Sequence, residues 1–556
     1  MTEPWLAHYA HASGWALDLP PLSLPEMFNQ AMLAHPDRPL VDFLGRKYSY
    51  VALYQQAQAF AAYLQMMGGI GRGDRIGLYL PNVPIYIAAY YGAAMIGATL
   101  VNFSPLYTAE ELAAQVRDSG TRILVTLNSS ALLPTALEVL GNSPLEWIVV
   151  GELGQMLGWT KRLALAILGR KAVMPLPKRC DVFSWSQCQF GDKPQPVAID
   201  PVRDIALLQY TGGTTGTPKG AILTHQNLTA NARQVAAIDP GKGERDMILG
   251  VLPLFHVFAN TCVLNRTVAN GGCIAMLPRF EAGQALKTLQ RVRATAMPAV
   301  PTMFQALLDH PAAAKTDFSS LRICISGGAP LPLPLKARFE AATHARIVEG
   351  YGLTESSGVV STNPYAGEER IGTIGQVLPG TRVRLLDRED PARDAAPGEP
   401  GELAVQGPQV MQGYWQRPEA AASAFAQRSD GRWLRTGDVA TIDPAGYVKI
   451  VDRIKDMIAV GGFKVFPSQV EAVLLQHPAV KEALVIGVPD ARLGEVPRAF
   501  VSLNEDAAAS GDDLRDWLNS RIGKHERADS VVVREELPKT MVGKLDRKAL
   551  RAELGI

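Results

Sequence analysis

The stretch Tyr210-Thr211-Gly212-Gly213-Thr214-Thr215-Gly216-Thr217-Pro218-Lys219-Gly220 decides how the rest of this chain is read. It follows an apolar run, residues 205–209, that reads as a buried strand. Four glycines in eleven residues open backbone angles that other residues resist. The N–H groups freed in this way, with four threonine hydroxyls, can surround phosphate oxygens. Lys219 adds a mobile positive charge. The pattern departs from the common P-loop, where lysine directly follows the last glycine and precedes a hydroxyl residue. Here Thr217 and Pro218 intervene, and Gly220 takes the hydroxyl position. A plain flexible loop could share the Gly/Thr content; the Thr-Gly-Thr-Pro-Lys-Gly ending is more specific and points to nucleotide phosphates.

Around this loop, strand-like apolar runs at 75–80, 122–127, 205–209, 321–325 and 346–348 recur, with helix-like segments such as 110–117 and 280–293 among them. Such alternation argues for an α/β fold of layered subdomains, helices covering mostly parallel strands. After about residue 380 the texture changes to short alternating segments, 382–387, 402–405 and 447–451, which read as a β-rich subdomain. Residues 388–401, rich in Pro, Ala and charge, read as a surface loop. The charge cluster Asp452-Arg453-Ile454-Lys455-Asp456 then separates two apolar runs. The expected division is a large N-terminal domain over 1–451, a hinge at 452–457 and a small α+β C-terminal domain over 458–556.

The chain has 556 residues, 47% of them hydrophobic, and a net charge of +1. No global field favours a nucleic acid, and none is expected as a partner. Five cysteines without a C-x-x-C pair fit a reducing cytosol and buried thiols. The N-terminus carries Glu3 early and has no apolar core, a poor signal peptide. Residues 83–101 and 247–265 are long enough and uncharged enough to mimic membrane spans if His256 is neutral. Their prolines, glycines, tyrosines and asparagines favour buried elements of a large α/β core instead.

Further motifs follow in order: Pro253-Leu254-Phe255-His256, Ser326-Gly327-Gly328-Ala329-Pro330, Glu349-Gly350-Tyr351-Gly352-Leu353-Thr354-Glu355, Trp433-Leu434-Arg435-Thr436-Gly437-Asp438 and Pro538-Lys539-Thr540-Met541-Val542-Gly543-Lys544. Each alone could be a turn, a core histidine or a solvated lysine. Together, from about residue 40 to the C-terminus, they resemble the adenylate-forming superfamily of acyl-CoA synthetases, aryl-CoA ligases, adenylation modules and beetle luciferases.

The resemblance implies ATP, CoA and a carboxylic acid as partners and Mg²⁺ as cofactor. It implies that Thr211, Gly212, Gly213, Thr214, Thr215, Gly216 and Lys219 hold phosphates. Tyr351 would pack on adenine beside Gly328, Ala329, Gly350 and Gly352, and Thr354 would meet the α-phosphate. Glu355 would bind Mg²⁺ with Thr211 as hydroxyl partner, in keeping with the ion's preference for few protein oxygens plus water and phosphate. Asp438 and Arg453 would contact the nucleotide, Asp438 at the ribose hydroxyls. Gly327, Gly352 and His256 would line the acyl site; His256 positions the acid or gates its channel, unless it is simply a core histidine. Lys544 would be the mobile catalytic lysine, with Lys455 as hinge. Gly461 and Gly462 would face CoA once the mobile C-terminal domain has turned.

The implied reaction is acyl-AMP formation followed by thioester formation. Pro81-Asn82-Val83-Pro84, Val101-Asn102-Phe103-Ser104-Pro105-Leu106-Tyr107-Thr108 and Val116-Arg117-Asp118-Ser119-Gly120 look most like bacterial long-chain fatty-acid–CoA ligases. A medium-chain or 4-coumarate-like aryl-CoA ligase, and a non-catalytic nucleotide-binding regulator, are the alternatives. Between Glu152 and Asp181 there is no acidic residue, while Lys161, Arg162, Arg170, Lys171, Lys178 and Arg179 surround an apolar centre at 163–168. This reads either as a basic helix packed on the core or as a contact with an anionic membrane surface. The expected location is the cytoplasm, with that peripheral membrane contact. The oligomeric state is left open, a homodimer included.

Overall fold

The structure, a computed structural model, describes residues 3–189, 193–211, 218–241, 246–461, 463–504, 507–540 and 544–556. Of Pro4, Leu168 and Arg170 it describes the backbone alone.

The run that precedes the Gly/Thr loop is a strand, Ile205–Thr211, two residues longer than its apolar core. It sits in an eight-stranded sheet ordered Gly413–Tyr414, Lys219–Thr224, Ile205–Thr211, Thr99–Asn102, Arg75–Leu78, Ile123–Leu127, Trp147–Gly151, Val182–Ser184. From Ile205–Thr211 to Val182–Ser184 neighbouring strands are parallel, whereas Lys219–Thr224 returns antiparallel. The loop therefore joins the arms of a hairpin, with Thr211 opposite Lys219. A P-loop would instead open a helix and use its dipole.

A second, nine-stranded sheet runs Gln376–Val377, Ser361–Thr362, Arg346–Tyr351, Ile323–Ser326, Ala296–Ala299, Met247–Gly250, Cys273–Met276, Pro39–Phe43, Arg46–Ser49, parallel through its middle. The two uncharged stretches lie inside these layers. Residues 83–101 supply the helix Pro84–Met95, of which every residue from Pro84 to Ala94 is buried. Its tyrosines find partners: Tyr90 and Tyr91 donate to Asn260 and Asn265 at 3.1 and 2.7 Å. Residues 247–265 supply the strand Met247–Gly250 and the buried π-helical turn Asn260–Asn265. Among the described residues no helix is long and apolar enough to cross a membrane. Four cysteines are buried as expected, but Cys180 is exposed, because it lies in the basic surface segment rather than in a sheet.

The β-rich subdomain is an antiparallel sheet of Arg382–Leu386, Gly401–Gln406, Gly431–Ile442, Phe425–Arg428 and Val448–Arg453. After the short helix Ile454–Asp456 comes a fourth sheet with its own apolar clusters. It holds Ile458–Val460, Phe463–Val465, Val480–Asp490, Gly494–Leu503 and Ser530–Val533, and packs against the helices Pro467–Leu474 and Gly511–Asn519.

Candidate active site

Strands of an open parallel sheet point their carboxyl ends at the natural place for a ligand. Two neighbours in the nine-stranded sheet, Ile323–Ser326 and Arg346–Tyr351, end at Gly327-Gly328 and Gly350-Tyr351-Gly352. They open into a cavity of about 630 Å³ that also reaches Thr211, Lys219, His256, Thr354, Glu355, Arg453, Lys455 and Lys544. Residues more than 300 positions apart in sequence thus share one chamber. Its apolar wall is Leu252, Val257, Phe258, Ala259, Val300, Ile325 and Val359.

The glycines are required by close approach. A Cβ on Gly352 would lie 2.1 Å from the Gly358 carbonyl oxygen, and one on Gly327 would lie 2.9 Å from the Phe258 ring. Gly328 has a φ of +83°, and a Cβ there would stand 2.6 Å from Lys544 Cε. The Lys544 side chain is therefore seated directly over Gly328. Ala329 follows at the strand end but is not among the described residues that line the chamber. Gly212, Gly213, Thr214, Thr215, Gly216 and Gly462 lie outside the described residues. Gly461 occupies a left-handed turn between Ile458–Val460 and Phe463–Val465, its N–H donating to the Leu493 carbonyl at 2.8 Å.

Electrostatics single out Lys544. Burial, followed by the Arg453 guanidinium, lowers its pKa to about 8 against the pull of Asp438. Burial, followed by the Lys544 ammonium, lowers His256 to about 3, so this histidine is neutral. Its Nδ1 accepts the Phe258 N–H at 3.3 Å, capping the turn that follows. His225 is likewise buried and neutral, accepting from the Leu24 N–H, a structural role.

Asp438 is nearly fully buried and already engaged: Tyr351 donates its hydroxyl to Oδ2 at 2.5 Å and Arg453 donates Nε–H to Oδ1 at 3.2 Å. Burial raises the Asp438 pKa, which Arg453 and the tyrosine oppose. Lys455, in Ile454–Asp456, lines the same chamber, with its pKa lowered by burial and by Arg453.

Several contributors carry no signal in their local sequence. Tyr414 donates its hydroxyl to Glu355 Oε1 at 2.7 Å, and Lys219 Nζ sits 5.5 Å from the centre of its ring. Strand pairing of Gly413–Tyr414 with Lys219–Thr224 brings it there. Glu402 takes both the Arg435 guanidinium, at 2.8 and 2.9 Å, and the Gly437 N–H, shaping the turn before Asp438. A buried polar chain holds the segment ending at His256. Tyr86 donates to Asn102 Oδ1, Asn102 to Gln209 Oε1, and Gln209 to the Phe255 carbonyl, at 2.8, 3.0 and 3.0 Å. Asn82 meanwhile exchanges bonds with the Leu252 carbonyl and the Leu254 N–H, both at 2.8 Å. An alternation of apolar runs cannot reveal such partners, because the bonds join four separate elements.

Residues 28–415 match the AMP-binding enzyme family and residues 469–544 the AMP-binding enzyme C-terminal domain. A long-chain-fatty-acid–CoA ligase of Bacillus subtilis (strain 168) is 37% identical, over 99% of this chain and 98% of its own length. Among solved structures, ATP-bound MatB from Rhodopseudomonas palustris superposes with a TM-score of 0.83 at 27% identity, covering 96% of this chain and 99% of that one. The apo form of that protein gives 0.74 at 28% identity with the same coverage. On its matched domains and its full-length relatives, the chain belongs to the AMP-binding enzyme family.

Proposed function

We propose that this protein is an AMP-forming acid–thiol ligase that activates a long-chain fatty acid as its acyl-adenylate and passes the acyl group to CoA. The observation that carries the reading is Lys544 over Gly328, in a chamber lined both by an apolar wall and by Thr211, Thr354 and Glu355. A carboxylate is a poor electrophile because its charge repels nucleophiles. In the first half-reaction its oxygen attacks the α-phosphorus of ATP, the bond to the β-phosphate breaks, and pyrophosphate leaves. In the second, the CoA sulfur attacks the acyl carbon and AMP leaves. Neither step needs a nucleophilic side chain; both need charge neutralised and reactants aligned.

Lys544 supplies the charge in the first step, standing where the carboxylate and α-phosphate meet. Neutral His256 adds no competing charge and positions the acid beside Phe258. Tyr351 offers its ring to adenine, and Asp438 takes the ribose hydroxyls in exchange for the Tyr351 hydroxyl. Thr211, Lys219 and the rest of the Gly/Thr loop hold the phosphates.

Mg²⁺ fits the donor set. Among the described residues no cluster of three or more His, Cys, Asp or Glu side chains could cage a metal. Mg²⁺ prefers one or two carboxylates plus phosphate and water. Glu355 in the chamber lining, oriented by Tyr414, would hold it with the Thr211 hydroxyl. Bound there, the ion would neutralise phosphate charge.

Lys455 serves as pivot within the hinge 452–457, carrying 458–556 between two poses so that Lys544 withdraws and residues Gly461 and Gly462 approach the CoA arm. The better superposition on the ATP-bound form than on the apo form of the same neighbour supports an adenylation pose here. The enzyme's place is the cytoplasm, with peripheral contact to the membrane that supplies its substrate.

Purified protein should exchange radiolabelled pyrophosphate into ATP only when an acid is present, and CoA should accelerate AMP release. Activity should rise from acetate through octanoate to palmitate. A cinnamate preference would move the reading to an aryl-CoA ligase, and absence of exchange with every acid would end it.

A further inference from the structure

The helix Trp159–Leu168 is fastened to the body through Leu165 and Lys161. Leu165 packs on the main core, and Lys161 Nζ donates to the Leu44 carbonyl at 2.6 Å. The turn before it is pinned by Tyr48, whose hydroxyl donates to the Met156 carbonyl at 2.8 Å, and by Arg46, which donates to the carbonyls of Gln155 and Leu157. The other side faces water with Trp159 80%, Leu163 55% and Ile167 63% exposed. Spaced by four, these three occupy an arc of about 80° and span about 12 Å of helix, with Leu165 roughly opposite Leu163. Single exposed apolar residues need no explanation. A stripe of three large ones on a firmly held helix marks a surface that is covered in use.

The charges around the stripe say what covers it. Arg162, Lys171 and Lys178 are exposed. Close to Lys161 lie Lys287, Arg291 and Asp42, and Asp42 is already gripped by both Arg291 nitrogens at 2.7 and 2.9 Å. Asp181, the first acid after the helix, is paired with Arg179 at 2.6 Å. The exposed stripe is thus apolar, and apart from Glu152, at the N-cap of the preceding short helix, and the paired Asp42 and Asp181, the charges beside it and following it in sequence are positive. Pairing with a second copy through a two-fold axis would set this basic face against itself. An anionic bilayer presents phosphates to the cations, and tryptophan favours the headgroup boundary.

We propose that this face docks on anionic phospholipid bilayers, with Trp159, Leu163 and Ile167 entering the headgroup–acyl boundary and Arg162, Lys171 and Lys178 over lipid phosphates. The inference deepens the fatty-acid ligase reading and rests on it for its purpose, since a long-chain acid partitions into the same bilayer.

The test uses the full chain and two kinds of vesicle, phosphatidylcholine alone and phosphatidylcholine mixed with phosphatidylglycerol. The protein should co-sediment with the mixed vesicles and much less with the neutral ones. Combined Trp159→Ser, Leu163→Ser and Ile167→Ser should cut the partition coefficient at least about tenfold. Each of Arg162→Gln, Lys171→Gln and Lys178→Gln should weaken it about fivefold. Mixed vesicles should shift tryptophan emission to the blue, and Trp159→Phe should abolish the shift. Equal binding by all variants, or none by the wild type, overturns the proposal. So does a wild-type dimer in lipid-free buffer that the triple serine variant converts to monomer, which would assign the face to a second copy. Octanoate-dependent pyrophosphate exchange in lipid-free buffer should match wild type in every variant. If wild type itself lacks that exchange, the ligase reading fails whatever the vesicles show.

Discussion

Raising the pH should switch off adenylation through Lys544. With its pKa lowered to about 8 by burial and Arg453, Lys544 is about 90% charged at pH 7 and about 10% charged at pH 9. Its lysine charge is present below that pKa and lost above it, so kcat/KM for acid-dependent pyrophosphate exchange should fall about tenfold between those pH values. The chamber's tyrosines do not share this window, because burial raises both Tyr351 and Tyr414 well above the ordinary phenol range. His256, at about 3, stays neutral throughout. Bound ATP brings negative charge to the ammonium, so the alkaline limb of kcat should lie above that of kcat/KM. Lys544→Arg, which does not deprotonate in this range, should retain activity and lose the limb. Lys544→Ala should cost about 10²–10³-fold and be flat with pH, while thioester formation from supplied acyl-AMP stays near wild type. Lys455 also has a lowered pKa, so Lys455→Arg is the control and should leave the limb in place. The assay is isotope exchange at saturating Mg²⁺. An unchanged limb in Lys544→Arg, or equal loss of both half-reactions in Lys544→Ala, would refute the reasoning.

Three further outcomes follow from named contacts. Tyr414→Phe removes the donor to Glu355 Oε1 and should raise the Mg²⁺ concentration for half-maximal exchange about tenfold, read from a metal titration of that half-reaction. Gly327→Ala places a methyl 2.9 Å from the Phe258 ring. The ring must move, and each methylene it excludes costs about 0.8 kcal/mol, about fourfold in kcat/KM, so the acid profile should shift toward shorter chains. Arg266, buried between Asp239 and Asp246 at 2.8 and 2.9 Å, is a stability residue. Arg266→Met leaves Asp246 buried without that cation and should cost about 3–5 kcal/mol, measured by denaturant unfolding, whereas Asp239 keeps its bidentate Arg322.

Much of the chamber was legible because its chemistry is local. Thr211, Lys219, Gly350, Thr354 and Glu355 stand in short motifs that carry the family resemblance, and the structure gathers them around one cavity. The strand–helix alternation likewise maps onto the two large sheets, with ends displaced by up to three residues, as Ile205–Thr211 and Arg346–Tyr351 show. Tyr414, Glu402 and the chain Tyr86–Asn102–Gln209 were not legible. Their roles exist only through partners on other elements. The basic stretch around the apolar centre 163–168 was open to two readings, and the exposure of Trp159, Leu163 and Ile167 depends on packing that the local pattern does not reveal.

The amino-acid sequence by itself determined the fold class, the order of the motifs and, through them, the family resemblance from which nucleotide contacts are expected. These follow from backbone freedom at glycine, hydrophobic periodicity and side-chain chemistry, all of which act within a few residues. Only the tertiary structure decided that the Gly/Thr loop joins a hairpin, that Asp438 is held by Tyr351 and Arg453, and that Lys544 lies over Gly328. Those facts depend on register between strands and on packing between segments hundreds of residues apart, where close-packed neighbours select one arrangement among many that the local pattern would allow.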